Sequence, residues 1–188
     1  MSTDTRRSPI AELLPSAPAG AGATLSHPTD LIKVGARGPG LAGWAATRGI
    51  NVPEEIYGTL PVGASGLLAR VGSGEIILET APDTDELGVL ERALQESADG
   101  IAPVSQQTAT FELSGPRAPE ILAQTCGVNF QRSPPGRIVF TRIAGVSGGV
   151  IPLAREGATV FRIWVDYTLA PYLWETLVEI REETLAAG

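Results

Sequence analysis

The turn Gly35-Ala36-Arg37-Gly38-Pro39 has a counterpart later in the chain, Gly115-Pro116-Arg117-Ala118-Pro119. Each turn joins a predicted strand to a predicted helix. The two helices end in nearly the same sequence, Gly49-Ile50-Asn51-Val52 in the first case and Gly127-Val128-Asn129-Phe130 in the second. Agreement of turn and helix end at corresponding places indicates an internal repeat. The sequence therefore predicts an α+β fold built from two related halves.

The predicted elements of the first half follow from its turns and apolar spacing. A tight Gly72-Ser73-Gly74 turn indicates a hairpin, and acidic residues open a helix after Pro82 whose apolar face holds Leu87, Leu90 and Leu94. The predicted elements are a strand at 31–36, a helix at 41–48, strands at 67–72 and 75–80, and the helix that opens at 82–86. The stretch before the hairpin contains proline and glycine and is predicted to be irregular.

The second half shows the same succession. Ala109, Phe111 and Leu113 alternate with polar residues, as in a half-buried strand, and the last helix has an apolar face of Leu169, Leu173, Leu177 and Ile180. The predicted elements are a strand at 108–113, a helix at 117–126, strands at 137–143, 149–153 and 159–165, and a helix at 168–184. We describe both halves as tandem β-α-β-β-α repeats that pack together, at 30–100 and 101–188. Residues 1–29, rich in Pro and Ala, are expected to form an extended arm.

Composition narrows the classes of function. The 188 residues carry 21 acidic and 14 basic side chains, so the net charge of -7 disfavours binding to nucleic acid. A single cysteine rules out an internal disulfide and favours a reducing compartment, which predicts a cytoplasmic protein. No apolar run is long enough to predict a membrane span.

The glycine pattern of residues 38–43 fits G-x-G-x-x-G, which in a strand-turn-helix context suggests a dinucleotide site. The counterpart at 118–123 has no glycine, and Pro39 removes a backbone N–H that a phosphate cradle would use. The comparison favours an ordinary strand-to-helix turn, with a dinucleotide-binding enzyme as the weaker alternative.

Other candidate catalytic groups also have simpler interpretations. Residues 145–149 fit G-x-S-x-G, but they lie between predicted strands and the only histidine, His27, lies in the arm, so we predict a hairpin turn. Cys126 is expected to be a small buried apolar residue, and Glu175 and Glu179 to lie on a solvated helix face. We predict no catalytic, cofactor-binding or metal-binding residue in this chain.

Two segments suggest contact with a partner protein. Ser8 and Pro9 fit the start of a short helical turn with Ile10 and Leu13 on its apolar edge. Four aromatic residues, Trp164, Tyr167, Tyr172 and Trp174, concentrate near the C-terminus. Either Trp164 and Tyr172 belong to the core, or Trp174, which lies off the leucine stripe, is exposed to a partner. The candidate interface residues are Arg7, Ile10, Leu13, Tyr172 and Trp174.

Three segments resemble one family, the gamma subunit of heterotetrameric sarcosine oxidase. They are Arg7-Ser8-Pro9-Ile10-Ala11-Glu12-Leu13, Phe111-Glu112-Leu113-Ser114-Gly115-Pro116-Arg117-Ala118 and Tyr167-Thr168-Leu169-Ala170-Pro171-Tyr172-Leu173-Trp174. The hairpin strand Ser73-Gly74-Glu75-Ile76-Ile77-Leu78 departs from the family because it lacks the usual proline and tryptophan. The departure leaves open whether the substrate is sarcosine or another N-methyl amine.

The resemblance implies a fold related to the folate-binding aminomethyltransferases and a structural, non-catalytic role. It implies an oxidoreductase complex with alpha, beta and delta subunits, with contact chiefly to the folate-handling part of the alpha subunit. FAD, FMN, NAD and tetrahydrofolate are expected on those partner subunits, and no cofactor is expected on this chain. The complex would demethylate an N-methyl amino acid oxidatively and pass the one-carbon unit to tetrahydrofolate. The alternative is a stand-alone folate-binding or aminomethyltransferase-like protein.

Overall fold

The computed structural model describes residues 22–96 and 100–187. These residues divide into two compact units, one formed by residues 30–106 and the other by residues 22–29 together with 107–187. We call them unit 1 and unit 2. The boundary between the units follows Gln106, whereas the sequence placed it at residue 100. Residues 22–29, expected in the arm, belong to unit 2.

The described residues form ten strands and four α-helices. The strands are β1 (Thr24–Ser26), β2 (Ile32–Arg37), β3 (Thr59–Val62), β4 (Gly66–Gly72), β5 (Glu75–Thr80), β6 (Ala102–Val104), β7 (Thr108–Ser114), β8 (Val139–Ile143), β9 (Val146–Arg155) and β10 (Ala158–Asp166). The helices are α1 (Leu41–Ala46), α2 (Asp85–Gln95), α3 (Ala118–Thr125) and α4 (Ala170–Ala186). Short 3-10 helices span Phe130–Arg132 and Tyr167–Leu169. The prediction of an α+β fold is confirmed.

Each unit contains one five-stranded antiparallel sheet, and the two sheets have the same strand order. The order is β3-β4-β5-β2-β6 in unit 1 and β8-β9-β10-β7-β1 in unit 2. In each sheet, the edge strand β6 or β1 comes from outside the half of the sequence that supplies the other four strands. β1 precedes β2 in sequence but pairs with β7, and β6 precedes β7 but pairs with β2. Each sheet therefore contains one strand from the neighbouring stretch of sequence.

The β-α-β-β-α pattern predicted for each half has three strands, two fewer than the five-stranded sheet of each unit. Unit 1 has the additional strand β3 in the stretch predicted to be irregular, and Leu60 of β3 pairs with Leu68 of β4. Pro61 obscured this strand in the sequence, because proline is rare in the interior of a sheet. β3 is an edge strand, where a missing N–H is tolerated. Three strands therefore separate the two helices in each unit.

Alternating residues of each sheet build a separate hydrophobic core. In unit 2, Phe111 and Leu113 of β7 join Ile163 of β10 and Leu173 of α4. The core of unit 1 joins strand residues to the face of α2. Its members include Val34, Ala36, Ile76, Leu78, Leu87 and Leu90. Burial of one such side chain stabilises the fold by about 1.5–3 kcal/mol.

Two hairpins of unit 2 turn through two residues that both have positive φ. Ala144 and Gly145 connect β8 to β9, and Glu156 and Gly157 connect β9 to β10. Two central residues in this conformation define a type I′ turn, whose twist matches that of antiparallel strands. The glycine at the second position adopts the conformation without steric cost. These turns fix the register of β9 against both of its neighbours.

Each sheet also carries an ion pair between opposed residues of two strands. Lys33 of β2 lies opposite Glu79 of β5, with Nζ 3.3 Å from Oε1. Glu112 of β7 lies opposite Arg162 of β10, whose Nε donates to Glu112 Oε1 at 3.1 Å. The Arg162 side chain is 0% exposed. In unit 2 the pair alternates along its strands with core residues, so it lies on the other face of the sheet.

Candidate interaction surface

A hydrogen-bonded turn sets the start of α4. Asp166, at the end of β10, accepts hydrogen bonds through Oδ1 from the Thr168 backbone N–H at 2.8 Å and the Thr168 hydroxyl at 2.6 Å. The bond from the hydroxyl, followed by the bond from the backbone, lowers the pKa of Asp166 below its ordinary value. Asp166 thereby caps the 3-10 helix that precedes α4. The first turn of α4 is thus held against the end of β10.

The 3-10 helix before α4 and the first turn of α4 each expose one large apolar side chain, Leu169 and Tyr172. They are 42% and 53% exposed, respectively. The Tyr172 hydroxyl donates to the Ala144 carbonyl at 3.2 Å, which ties the ring to the turn between β8 and β9. The two positions are three residues apart in sequence, so their side chains lie on the same side of a helical turn. We call this pair the α4 surface.

Trp174 does not belong to the α4 surface, so its assignment to an interface was wrong. It is 2% exposed, and its ring lies 5.1 Å from that of Phe111, centroid to centroid. The spacing explains the error, since Trp174 lies four residues after Ala170 and three before Leu177, both of which are buried. The buried face of α4 is therefore wider than the row formed by its leucine side chains. Leu169, expected on the buried face, is exposed because it precedes α4.

The other predicted interface residues, Arg7, Ile10 and Leu13, lie outside the described residues. Their contact with a partner stays a prediction. Tyr172 is the predicted interface residue for which the structure gives an exposed position. The exposed side chain of Leu169 is a second candidate for the interface. Its position within an apolar stripe of the sequence did not indicate this exposure.

The glycine-rich turn at 38–43 has a packing explanation. The Gly38 N–H donates to the Gly74 carbonyl at 2.9 Å, so it is already used within unit 1. A Cβ added at Gly38 would lie 2.3 Å from the Gly100 carbonyl oxygen. α1 then spans only six residues. The Gly38 N–H is therefore not available to bind a phosphate group.

Gly38→Ala is expected to lower the free energy of unfolding of unit 1 by about 2 kcal/mol, because the methyl group would meet backbone atoms. Gly43→Ala is the matched control, since a Cβ there meets nothing within 4 Å and the position is helical. It should raise stability by about 0.5–1 kcal/mol. Urea denaturation followed by Trp44 fluorescence measures both. Equal effects of the two substitutions would contradict the packing explanation.

The other residues considered as catalytic candidates have defined positions in unit 2. Ser147 lies within β9 opposite Arg142, so it does not occupy a strand-to-helix elbow. His27 Nδ1 lies 2.6 Å from the Thr110 carbonyl oxygen, and its ring packs edge-on against Phe111. Cys126 is half-buried, with Sγ 3.3 Å from the Leu122 carbonyl.

Glu175 and Glu179 are exposed on α4, as expected. In residues 22–96 and 100–187, no group of three or more His, Cys, Asp or Glu side chains is arranged to hold a metal ion. The helices in this part of the chain are too short or too polar to cross a membrane.

Comparison with known proteins identifies the fold. No protein-family model matches the sequence, and no curated protein does. A chain of the heterotetrameric sarcosine oxidase from Corynebacterium sp. U-96, solved in complex with pyrrole 2-carboxylate, superposes with a TM-score of 0.74. The two chains are 21% identical, and the match covers 95% of this chain and 96% of that one. This chain has the fold of a sarcosine oxidase subunit.

The same fold occurs in a second solved structure, the glycine cleavage system aminomethyltransferase T from Bartonella henselae. Its TM-score is 0.61 at 15% identity, with 84% of this chain covered. This chain spans 46% of the aminomethyltransferase chain. The sarcosine oxidase subunit is therefore matched over nearly its whole length, whereas the aminomethyltransferase is matched over less than half.

Proposed function

We propose that this chain is the non-catalytic, structural gamma subunit of a heterotetrameric, flavin-dependent sarcosine oxidase-like enzyme. The enzyme would demethylate an N-methyl amino acid oxidatively and pass the one-carbon unit to tetrahydrofolate. The observation that carries the proposal is the match to one chain of a heterotetramer over 95% of this chain and 96% of that one. Agreement in both directions means that the matched subunit is about as small as this chain.

The side chains of the described residues support a structural role. A Cβ at Gly38 in the glycine-rich turn would meet backbone atoms, and Ser147 lies within strand β9, opposite Arg142. The α4 surface supplies exposed apolar area that a partner subunit can cover, with Tyr172 positioned by its bond to Ala144. Aromatic residues held in this way lose little conformational entropy on binding.

The proposed partners are the alpha, beta and delta subunits of the complex in the cytoplasm. The α4 surface, and the segment that contains Arg7, Ile10 and Leu13, would contact chiefly the folate-handling part of the alpha subunit. FAD, FMN, NAD and tetrahydrofolate would be bound by those partners. This chain would bury surface against its partners and hold them in position, and it would bind no cofactor itself.

Purification of the tagged full chain from its native host tests the proposal. We expect to recover a flavoprotein in fixed stoichiometry, identified by its visible absorbance and by the masses of its subunits. The double substitution Leu169→Asp with Tyr172→Asp should reduce recovery at least tenfold, because it places two charges in an apolar contact. Phe140→Asp is the control, since Phe140 is also exposed in unit 2 but lies on β8. A stable monomer that recovers no flavoprotein would refute the assignment.

A stand-alone folate-binding or aminomethyltransferase-like protein is the second candidate. The superposition on aminomethyltransferase T favours it, but this chain spans only 46% of that protein. Calorimetric titration of the isolated chain with tetrahydrofolate separates the two proposals. Micromolar binding by the chain alone would favour the second candidate, whereas binding only by the assembled complex would favour the first.

A further inference from the structure

Unit 1 contains an apolar cleft that no role proposed above uses. It lies between α2, strands β3, β4 and β5, and the segment 49–51, and its volume is about 530 Å³. Its base is formed by Leu68, Leu78 and Leu90, which are buried. Its rim includes three polar side chains, Asn51, Asp85 and Glu86, all of them exposed. Clefts of about 300–1,000 Å³ with apolar walls and a few polar groups are typical of small-molecule sites.

The charge at the rim is negative. Asp85 and Glu86 belong to the first turn of α2, and neither forms a hydrogen bond or an ion pair with the part of the chain that the structure describes. The cleft is lined by no Lys, Arg or His side chain of the described residues. The nearby Arg70 directs its guanidinium to the carbonyl oxygens of Pro53 and Glu54. The rim therefore presents two free carboxylates beside an apolar base.

We propose that this cleft binds a small organic cation. The ligand would have an aliphatic or aromatic body of about ten non-hydrogen atoms, which fits a cleft of this volume. The body would lie on Leu68, Leu78 and Leu90, and an ammonium group would lie beside Asp85 and Glu86. An apolar body gains affinity from burial, and the carboxylates add selectivity for positive charge. The site is independent of the proposed role in a complex.

Binding of 4-phenylbutylamine to the purified full chain tests the inference, with 4-phenylbutanol as the neutral probe and 4-phenylbutyrate as the anionic one. Methyl-resolved NMR titration should show saturable shifts at Leu68, Leu78 and Leu90. We expect the amine to bind about fivefold more tightly than the alcohol, since ion pairs at an exposed rim are weak. The carboxylate probe should bind more weakly than either.

Three variants separate the apolar and the charged contributions. The double substitution Asp85→Asn with Glu86→Gln should remove the difference between amine and alcohol and leave the affinity for the alcohol unchanged. Glu91→Gln is the matched control, because Glu91 is an exposed acid of α2 that does not line the cleft, and it should preserve the fivefold preference. Val89→Trp should abolish binding of both probes, because the indole ring would fill the cleft.

The inference is overturned if the wild-type chain, with its methyl spectrum intact, binds none of the probes or binds amine and alcohol equally. It is also overturned if, in the purified complex, the cleft methyl groups contact a partner subunit, which would make the cleft a protein interface. The charge-neutral double variant alters only exposed side chains. It therefore tests the rim even if Val89→Trp disturbs folding.

Discussion

Glu112→Gln lowers the free energy of unfolding of unit 2 by about 3–5 kcal/mol, the cost of removing one partner from a buried ion pair. Arg162 is fully buried, and its Nε donates to Glu112 Oε1 at 3.1 Å. The same oxygen accepts a bond from Arg155 at 2.9 Å. An amide keeps the shape of the carboxylate but not its charge, so two guanidinium groups lose one shared anion. The effect is large because water cannot reach Arg162 to replace that charge.

The matched control is Glu120→Gln. Glu120 forms an ion pair with Arg117 at 2.8 Å on the surface of the same unit. An exposed pair of this kind contributes at most about 1 kcal/mol. Urea denaturation in a Trp44→Phe background, followed by the fluorescence of Trp164 and Trp174, reports on unit 2 alone. If the two glutamine variants had equal effects, the Glu112 pair would contribute no more than a surface pair.

Trp174→Ala should destabilise unit 2 by about 3–5 kcal/mol, as truncation of a large aromatic residue in a core does. The indole ring is 2% exposed and contacts Phe111. The close packing of protein interiors limits how far the surrounding side chains can move to fill the space that the substitution would create. The fluorescence of Trp164 in the same Trp44→Phe background measures the change.

Tyr172→Ala provides the contrast to Trp174→Ala. Its ring is 53% exposed and its hydroxyl bond to Ala144 is accessible to water, so we expect a loss below about 1 kcal/mol. The two aromatic residues lie two positions apart, and the sequence assigned both to an interface. A similar loss of stability in both variants would show that Tyr172 also acts as a core residue. Reduced recovery of the complex by Tyr172→Ala alone would support the α4 surface.

The elements with strong local signals were predictable from the sequence. The hairpin of β4 and β5 has a glycine-containing turn, and the apolar spacing of α2 and α4 located both helices. The strand β3 was missed because Pro61 disfavours a strand wherever the edge of the sheet is unknown. Strand β1 was missed because three residues carry too little pattern, and its partner β7 is far away in sequence. Both strands depend on pairing that local spacing does not encode.

The candidate sites also include features that the sequence predicted and features that it did not. Comparison of the two turns favoured a packing role for Gly38, and the backbone atoms that a Cβ would meet there agree with such a role. The apolar cleft could not be predicted, because its lining comes from five segments that approach only in the folded unit. Trp174 was misplaced because the leucine stripe was taken as the whole buried face of α4. Ala170, at the start of that helix, was the signal that could have corrected it.

The positions of β1 and β6 in the sequence have a consequence for folding during synthesis on the ribosome. Thr24 of β1 pairs with Ser114 of β7, so β1 is made before any part of unit 1 and waits until β7 emerges. Unit 1 can be completed as soon as β6 leaves the exit tunnel, because β6 is its last strand in sequence. Contacts between distant residues form slowly, since a long loop must close first. The nascent chain would therefore be able to fold residues 30–106 before β1 finds its partner β7.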